Sequence, residues 1–225
     1  MVDTFALSAD AIGVSVECSD GDPVEYAAYE LNVETHRVEP IPAADGLLRV
    51  LPLGDDGVGV ERVLGKNGCR LLYELDGDKR EPVTIDMDEG VLGRSSGSTC
   101  HYPQMSNEIT YSPETGQVAF SLATDKDAPE SVALWAFGGN GLRVVFDGIA
   151  IVGGLAFSAD GSSLYIRSTT SSSWPGNVQP GIIRVDTTTG EHEWIIESED
   201  VDGLATAPEG NGLVYTIDGE FIFSE

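Results

Sequence analysis

Residues 155–168 read LAFSADGSSLYIRS and residues 204–217 read LATAPEGNGLVYTI. Both stretches run as an apolar strand, a small-residue turn carrying an acid and a glycine, and a second strand with alternating apolar residues. That is how a tight β-hairpin is written. Working outward, the same pattern returns as FALSADAIGVSV at 5–16, VLPLGDDGVGVERV at 50–63 and ITYSPETGQVAFSL at 109–122. Aligned on the residue before the turn acid, the five copies fall at Ala9, Asp55, Pro113, Ala159 and Pro208, in steps of 46, 58, 46 and 49 residues. Periods of this size mark repeat architectures in which each unit buries its apolar face on a neighbour.

A second hairpin follows each of the first four. AAYELNVETHRVEPI (27–41), RLLYELDGDKREPVTI (70–85), ALWAFGGNGLRVVF (133–146) and GIIRVDTTTGEHEWII (181–196) each read as strand, polar turn, strand. Four strands per repeat is the content of one propeller blade. No stretch of ten or more residues shows helical periodicity, and 27 glycines and 11 prolines punctuate the proposed turns. The expectation is a single all-β domain over 1–225, a β-propeller of about five four-stranded blades at 1–45, 46–88, 105–150, 151–198 and 199–225. After its inner pair the last copy has only EFIFSE, so its blade lacks an outer strand. A closed five-bladed ring is expected. The alternatives are completion by another chain through edge-strand pairing, or membership of a longer protein. An open edge invites pairing unless it is charged, and Glu220 and Glu225 supply charge there.

With 225 residues and 41% hydrophobic content, the chain can bury roughly 70% of its unfolded surface without disulfides or metals. Cys18, Cys69 and Cys100 are odd in number and far apart, which indicates neither a disulfide framework nor a zinc knuckle. With no signal-peptide pattern after Met1 and no long apolar run, the expected setting is the cytoplasm, without a membrane partner. The charge balance is extreme: 38 acidic against 12 basic side chains, a net −26. Such self-repulsion is screened at molar salt, where the Debye length is about 3 Å, so the composition reads as halophilic. It also argues against nucleic acid, since phosphate binding needs clustered cations.

The 58-residue step holds an irregular segment, MDEGVLGRSSGSTCHYPQMSNE (87–108), and a second polar loop, TTSSSWPGN (169–177), carries Trp174. Long loops are enriched in function, and a tryptophan at a loop tip is either a binding platform or a cover for a neighbouring blade. Gly93-Arg94-Ser95-Ser96-Gly97 matches the GxSxG string, but a nucleophile elbow needs a helix after the serine, and Pro103 and its neighbours deny one. Cys100 beside His101 is no thiol and base pair, because adjacent residues in a strand face opposite ways. His36 and His192 are placed in outer hairpin turns, away from it.

GGLAFSADGSSLYI and DGLATAPEGNGLVYT resemble consecutive signatures of the regucalcin and gluconolactonase family. YPQMSNEITYSPETGQVAFSLATDKDAPESVALWAF is similar to TolB-type propeller repeats. In the regucalcin family, metal and substrate ligands lie six residues before the turn proline, where each inner strand begins at the central channel. The resemblance implies Asp3, Arg49, Asn107, Gly153 and Asp202 for those positions. It implies Asp3 and Asp202 as carboxylate ligands of a divalent cation, calcium or zinc, and Asn107 as a substrate contact. Gly153 departs from the pattern, having no side chain where the family has a metal-binding asparagine, and Arg49 would repel a cation. A calcium ion wants six to eight oxygens, so this set is thin. The same residues read equally as a plug of salt bridges and hydrogen bonds.

Two functions follow from different classes. One is a non-catalytic propeller scaffold that binds a protein or small molecule on one face. The other is a metal-dependent lactone hydrolase, in which the cation polarises a carbonyl and activates water. A propeller portion of a larger peptidase or transport assembly is the third reading.

Overall fold

The computed structural model describes residues 2–6, 11–18, 25–32, 34–40, 49–53, 56–62, 70–76, 79–82, 85–87, 90–92, 95–96, 99–100, 104–112, 114–123, 130–136, 142–149, 151–169, 179–206 and 212–224. Side chains are described for 27, 29, 31–32 and 34–40 and, except at 123, for the described residues from 108 onward. Every regular element among them is a β-strand, and none is a helix long and apolar enough to cross a membrane. The chain divides into two compact units, Met1–Asp86 with Val91–His101, and Met87–Gly90 with Tyr102–Glu225.

In the first unit, β1 (Val2–Ala6), β2 (Ala11–Cys18), β3 (Glu25–Asn32) and β4 (Val38–Pro40) form one sheet in chain order. A second sheet follows from β5 (Arg49–Leu53), β6 (Asp56–Arg62), β7 (Arg70–Asp76) and β8 (Lys79–Pro82). The segment read as an irregular loop contains short hairpins instead. There β9 (Ile85–Met87) pairs with β10 (Gly90–Leu92), and β11 (Ser95–Ser96) pairs with β12 (Thr99–Cys100). These strands are only two or three residues long, too short for apolar periodicity to give a sign of them.

The second unit continues the repeat. Its first sheet is β13 (Gln104–Ser112), β14 (Gln117–Ala123), β15 (Glu130–Ala136) and β16 (Leu142–Ile149), and its second is β17 (Ile151–Phe157), β18 (Ser163–Thr169), β19 (Gly181–Asp186) and β20 (His192–Glu197). The third has only β21 (Val201–Thr206), β22 (Leu213–Ile217) and β23 (Glu220–Ser224). All neighbours are antiparallel and successive in chain order, as short polar turns require. The three-stranded last sheet is the one expected from EFIFSE.

Alternation decides where the core lies. In β18, Leu164 and Ile166 point into a cluster with Val132, Leu134, Val145 and Ile149 of the preceding sheet, while Tyr165 points the other way, to Val201, Leu213 and Tyr215 of the next. Strand β19 does the same, with Ile183 and Val185 on one side and Ile182 on the other. The inner strands of the β17–β20 sheet are thus covered on both faces, which accounts for the consecutive buried residues Leu164-Tyr165-Ile166 and Ile182-Ile183.

The turns carry the motif that defined the repeat. Ser158 and Ser163 close a four-residue loop through Ser158 N–H donating to Ser163 O at 2.8 Å and Gly161 N–H donating to Ser158 O at 2.9 Å, with Gly161 at φ +69°. Asp160 Oδ1 accepts from the Ser158 hydroxyl at 2.7 Å, the Ser162 N–H at 3.0 Å and the Ser162 hydroxyl at 2.8 Å. In β22–β23, Asp218 (φ 52°) and Gly219 (φ 81°) form the two-residue turn with both central residues left-handed that suits a twisted hairpin.

Candidate functional site

The ligand positions implied by the resemblance lie in the first strands of their sheets. In the first unit these strands pair without interruption, from Val2 opposite Val16 to Ala6 opposite Ile12, and from Arg49 opposite Val60 to Leu53 opposite Asp56. Asp3 lies in β1 opposite Ser15, and Arg49 is the first residue of β5. Their side chains lie outside the described residues, as does that of Asn107 in β13.

In the second unit each first strand has a break in its ladder: between Met105 and Ile109, between Val152 and Gly154, and between Asp202 and Leu204. Such bulges leave backbone groups without ladder partners, and these must be satisfied some other way. One position of each second strand provides the bond. Ser121, Arg167 and Thr216 each follow the residue that pairs with the first aliphatic after the break, Ile109, Leu155 and Leu204 respectively. Glu108 N–H donates to Ser121 Oγ at 3.1 Å. Arg167 donates to Gly153 O through Nε at 3.1 Å and Nη2 at 2.6 Å. The Thr216 hydroxyl donates to Asp202 O.

Arg167 does more than the other two. Its Nη1 donates to Val201 O at 3.2 Å and to Asp202 Oδ1 at 3.0 Å, so one guanidinium joins the β17–β20 and β21–β23 sheets. The arginine side chain is 17% exposed while that of Asp202 is 85% exposed, so the cation is set inward and its carboxylate stands in solvent. Asp202 Oδ1 also accepts from Gly203 N–H at 3.0 Å, with Gly203 at φ +72°. The missing side chain at Gly153 has a steric reason. A Cβ there would lie 2.7 Å from Thr169 Cγ2 and 2.9 Å from Arg167 Nη2. The site is therefore a backbone-satisfying knot with a cation at its centre.

Of the implied ligands, only Asp202 has a described environment, and its partners are a guanidinium and an amide N–H. Arg167 was not anticipated. Its signal was available: the hairpin turn sets Leu155 against Ile166, which puts Arg167 opposite Gly153-Gly154, the one pair of glycines in a first strand. Ser121 and Thr216 gave no such signal, since short hydroxyl side chains are ordinary in strands.

Ser95 and Ser96 of the GxSxG string lie on β11, which pairs with β12 and its Cys100, so this stretch, read as an irregular loop, has paired strands and not the strand-to-helix turn of an elbow. His36 sits in the β3–β4 turn at φ 55°. His192 opens β20 rather than lying in a turn, with its ring edge-on to Phe146 at 4.8 Å, because the Asp186–Glu191 turn ends one residue earlier. Trp174 and His101 lie outside the described residues. Among the described residues no group of three or more His, Cys, Asp or Glu is arranged to hold a metal ion.

No family model matches the sequence, and no curated protein matches it. Solved structures do match in fold. TolB from Acinetobacter baumannii is 14% identical, with a TM-score of 0.59 over 96% of this chain and 51% of that one. The β-propeller domain of the Trilobed protease from Pyrococcus furiosus, which has an open velcro topology, is 8% identical, with a TM-score of 0.58 over 99% of this chain and 70% of that one. A chain of the nidogen/laminin complex is 12% identical, with a TM-score of 0.53 over 95% of this chain and 84% of that one. The chain thus spans about half the length of TolB. Its fold is that of a β-propeller, all-β and built from four-stranded blades with a three-stranded last one.

Proposed function

We propose that this chain is a propeller binding module for a protein partner rather than a lactone hydrolase. One observation carries the reading: Asp202, the carboxylate best suited to a cation by its position, is bonded to Arg167, and the same guanidinium fills the space at Gly153. A positive charge 3.0 Å from Asp202 Oδ1 opposes a divalent ion at that oxygen. The bonds to Gly153 O and Val201 O give Arg167 a structural task that does not depend on a ligand. The nidogen/laminin match supports a protein partner by analogy of fold alone.

The test is calorimetric titration of the chain with calcium and with zinc, together with a lactonase assay, in about 2 M potassium chloride so that diffuse charge is screened. The binding-module reading expects neither saturable cation uptake nor turnover. Stoichiometric uptake that Asp202→Asn abolishes would overturn it and restore the hydrolase. The partial coverage of TolB favours one second reading, a propeller portion of a larger assembly. That reading shares the binding face and differs in having further chain attached.

A further inference from the structure

Strand β23 is the third strand of its sheet, as β15 and β19 are of theirs. Those two carry ladders on both sides: Leu134 of β15 pairs with Ala119 and with Arg143, and Ile182 of β19 pairs with Arg167 and with Ile196. Among the described residues β23 carries one ladder, to β22. The two-residue Asp218-Gly219 turn makes Ile217 and Glu220 the closing hydrogen-bonded pair, and pairing then alternates along the strand. Ile222 and Ser224 therefore direct their backbone groups at β22. Phe221 and Phe223 direct theirs outward, at the open edge.

The side chains alternate as well. Ile222 packs with Leu213, Tyr215 and Ile182, while Phe221 is 74% exposed and Phe223 77% exposed, together on the other face. Two adjacent bare phenylalanines beside two outward N–H groups are an unusual combination for a charged chain, whose open edges are ordinarily blunted. Among the described residues of the β22–β23 hairpin the charged side chains are acidic: Asp218 in the turn and Glu220 at the head of the strand, on a chain of net −26.

Resting on the binding-module reading, we infer that β23 captures an extended cationic segment of another protein as the fourth, outer strand of this blade. Two apolar side chains of that segment lie beside Phe221 and Phe223, and a lysine or arginine lies across from Glu220. Backbone bonds to an edge supply affinity in this mode, and alternate side chains supply specificity. Cross-strand aromatic contacts and opposite-charge pairs favour this sequence over others. Contact charge at Glu220 favours a cationic segment, and the concentration dependence of protection tests a second copy as occupant. A carboxylate across from Glu220 would be a like-charge pair, which disfavours an acidic segment.

The probe is a ten-residue synthetic peptide of alternating valine and threonine flanked by lysines, with a second version flanked by glutamates. Binding is read by amide hydrogen exchange and calorimetry in about 0.5 M potassium chloride, where the Debye length of about 4 Å suppresses diffuse attraction and leaves contact pairs. The expected result is at least ten-fold slower exchange at the Phe221 and Phe223 amides with the lysine peptide and at least ten-fold weaker binding of the glutamate peptide. The Phe221→Ser, Phe223→Ser double variant loses that binding, and Glu220→Lys reverses the preference between peptides. Binding without protection of those two amides, binding indifferent to either variant, or no binding overturns the inference. Protection that grows with protein concentration in the absence of peptide also overturns it, by making a second copy the occupant. None of these readouts involves Asp202, so this inference and the absence of a cation site fail independently.

Discussion

The β17–β20 and β21–β23 sheets are built from the same repeat and end in different surroundings. The inner strands of the first are covered on both faces: Leu164, Ile166, Ile182 and Ile183 are all fully buried. The second is covered on one face, where Val201, Leu213 and Tyr215 pack on Tyr165 and Ile182 of the first, and leaves Phe221 and Phe223 bare on the other. The hydrophobic residues of the two sheets are similar in kind, so position in the array, not composition, determines which of them stabilise the fold. A blade is stable because of its neighbours.

The sharpest test of that contrast is a pair of truncations. Ile183→Ala removes a fully buried side chain from a cluster shared by two sheets and should cost about 2–5 kcal/mol. Phe223→Ala removes a larger side chain that is already in water and should stay within about 0.5 kcal/mol. Urea midpoints in concentrated potassium chloride measure both. Equal losses would mean that Phe223 is packed in solution, and the comparison would break.

Salt sharpens it next. The buried faces do not sense ionic strength, whereas the exposed strand β20 carries Glu193 and Glu197, with Glu191, Glu199 and Asp200 in the flanking turns. Raising potassium chloride from 0.1 M to 2 M should raise Tm by about 10 °C, on the order of 3 kcal/mol for a chain of this size. Identical melts at both concentrations would remove the halophilic reading of the composition.

The knot between these two sheets comes third. Arg167→Met strands Gly153 O and Val201 O, at about 1–3 kcal/mol for a buried acceptor left unsatisfied. Arg184→Met breaks an ion pair with Glu193 whose side chains are both about half exposed, and should cost no more than about 1 kcal/mol. Chemical denaturation of the two variants side by side separates a backbone-satisfying arginine from a surface one.

What the sequence made legible was whatever repeats. The hairpin grammar of LAFSADGSSLYIRS gave the turns, the alternation and the order of strands, because short local pairings are written locally. It also gave the shortened last sheet. The ladder breaks were not legible, since these bulges shift register by only one or two residues and leave the apolar pattern on either side intact. At Gly153, where the sequence departs from the ligand pattern of the resemblance, the reason for the missing side chain is the volume of Arg167, fourteen residues further along the chain and beside it only once the hairpin is closed. The paired strands around Ser95 and Cys100 escaped because they have no apolar periodicity to read.

The smallest expected effect concerns the turn on which the repeat was recognised. Asp160 is held below the usual carboxylate range first by the Ser158 hydroxyl and then by the Ser162 N–H, both of which bond its ionised form. A depressed folded value means that the contribution is fully present above the unfolded value, near 3.9, and is lost as pH falls through the lower folded one. Asp160→Asn should therefore lower the urea midpoint at pH 7, and the gap from the unsubstituted chain should shrink towards pH 2. Because the carboxylate is in solvent, the gap at pH 7 stays below about 1 kcal/mol. Asp186, depressed by the Thr189 and Thr188 N–H groups, belongs to the next turn of the same sheet and predicts the same sign for Asp186→Asn. The two turns are tied together: Thr187 N–H donates to Ser162 O at 3.0 Å, and its hydroxyl donates to Gly161 O at 2.8 Å. The double variant should consequently lose more or less than the sum of the single losses, as groups within one network do. Strict additivity would show that each turn holds its own shape, and that the tie at Thr187 merely accompanies the packing of the β17–β20 sheet.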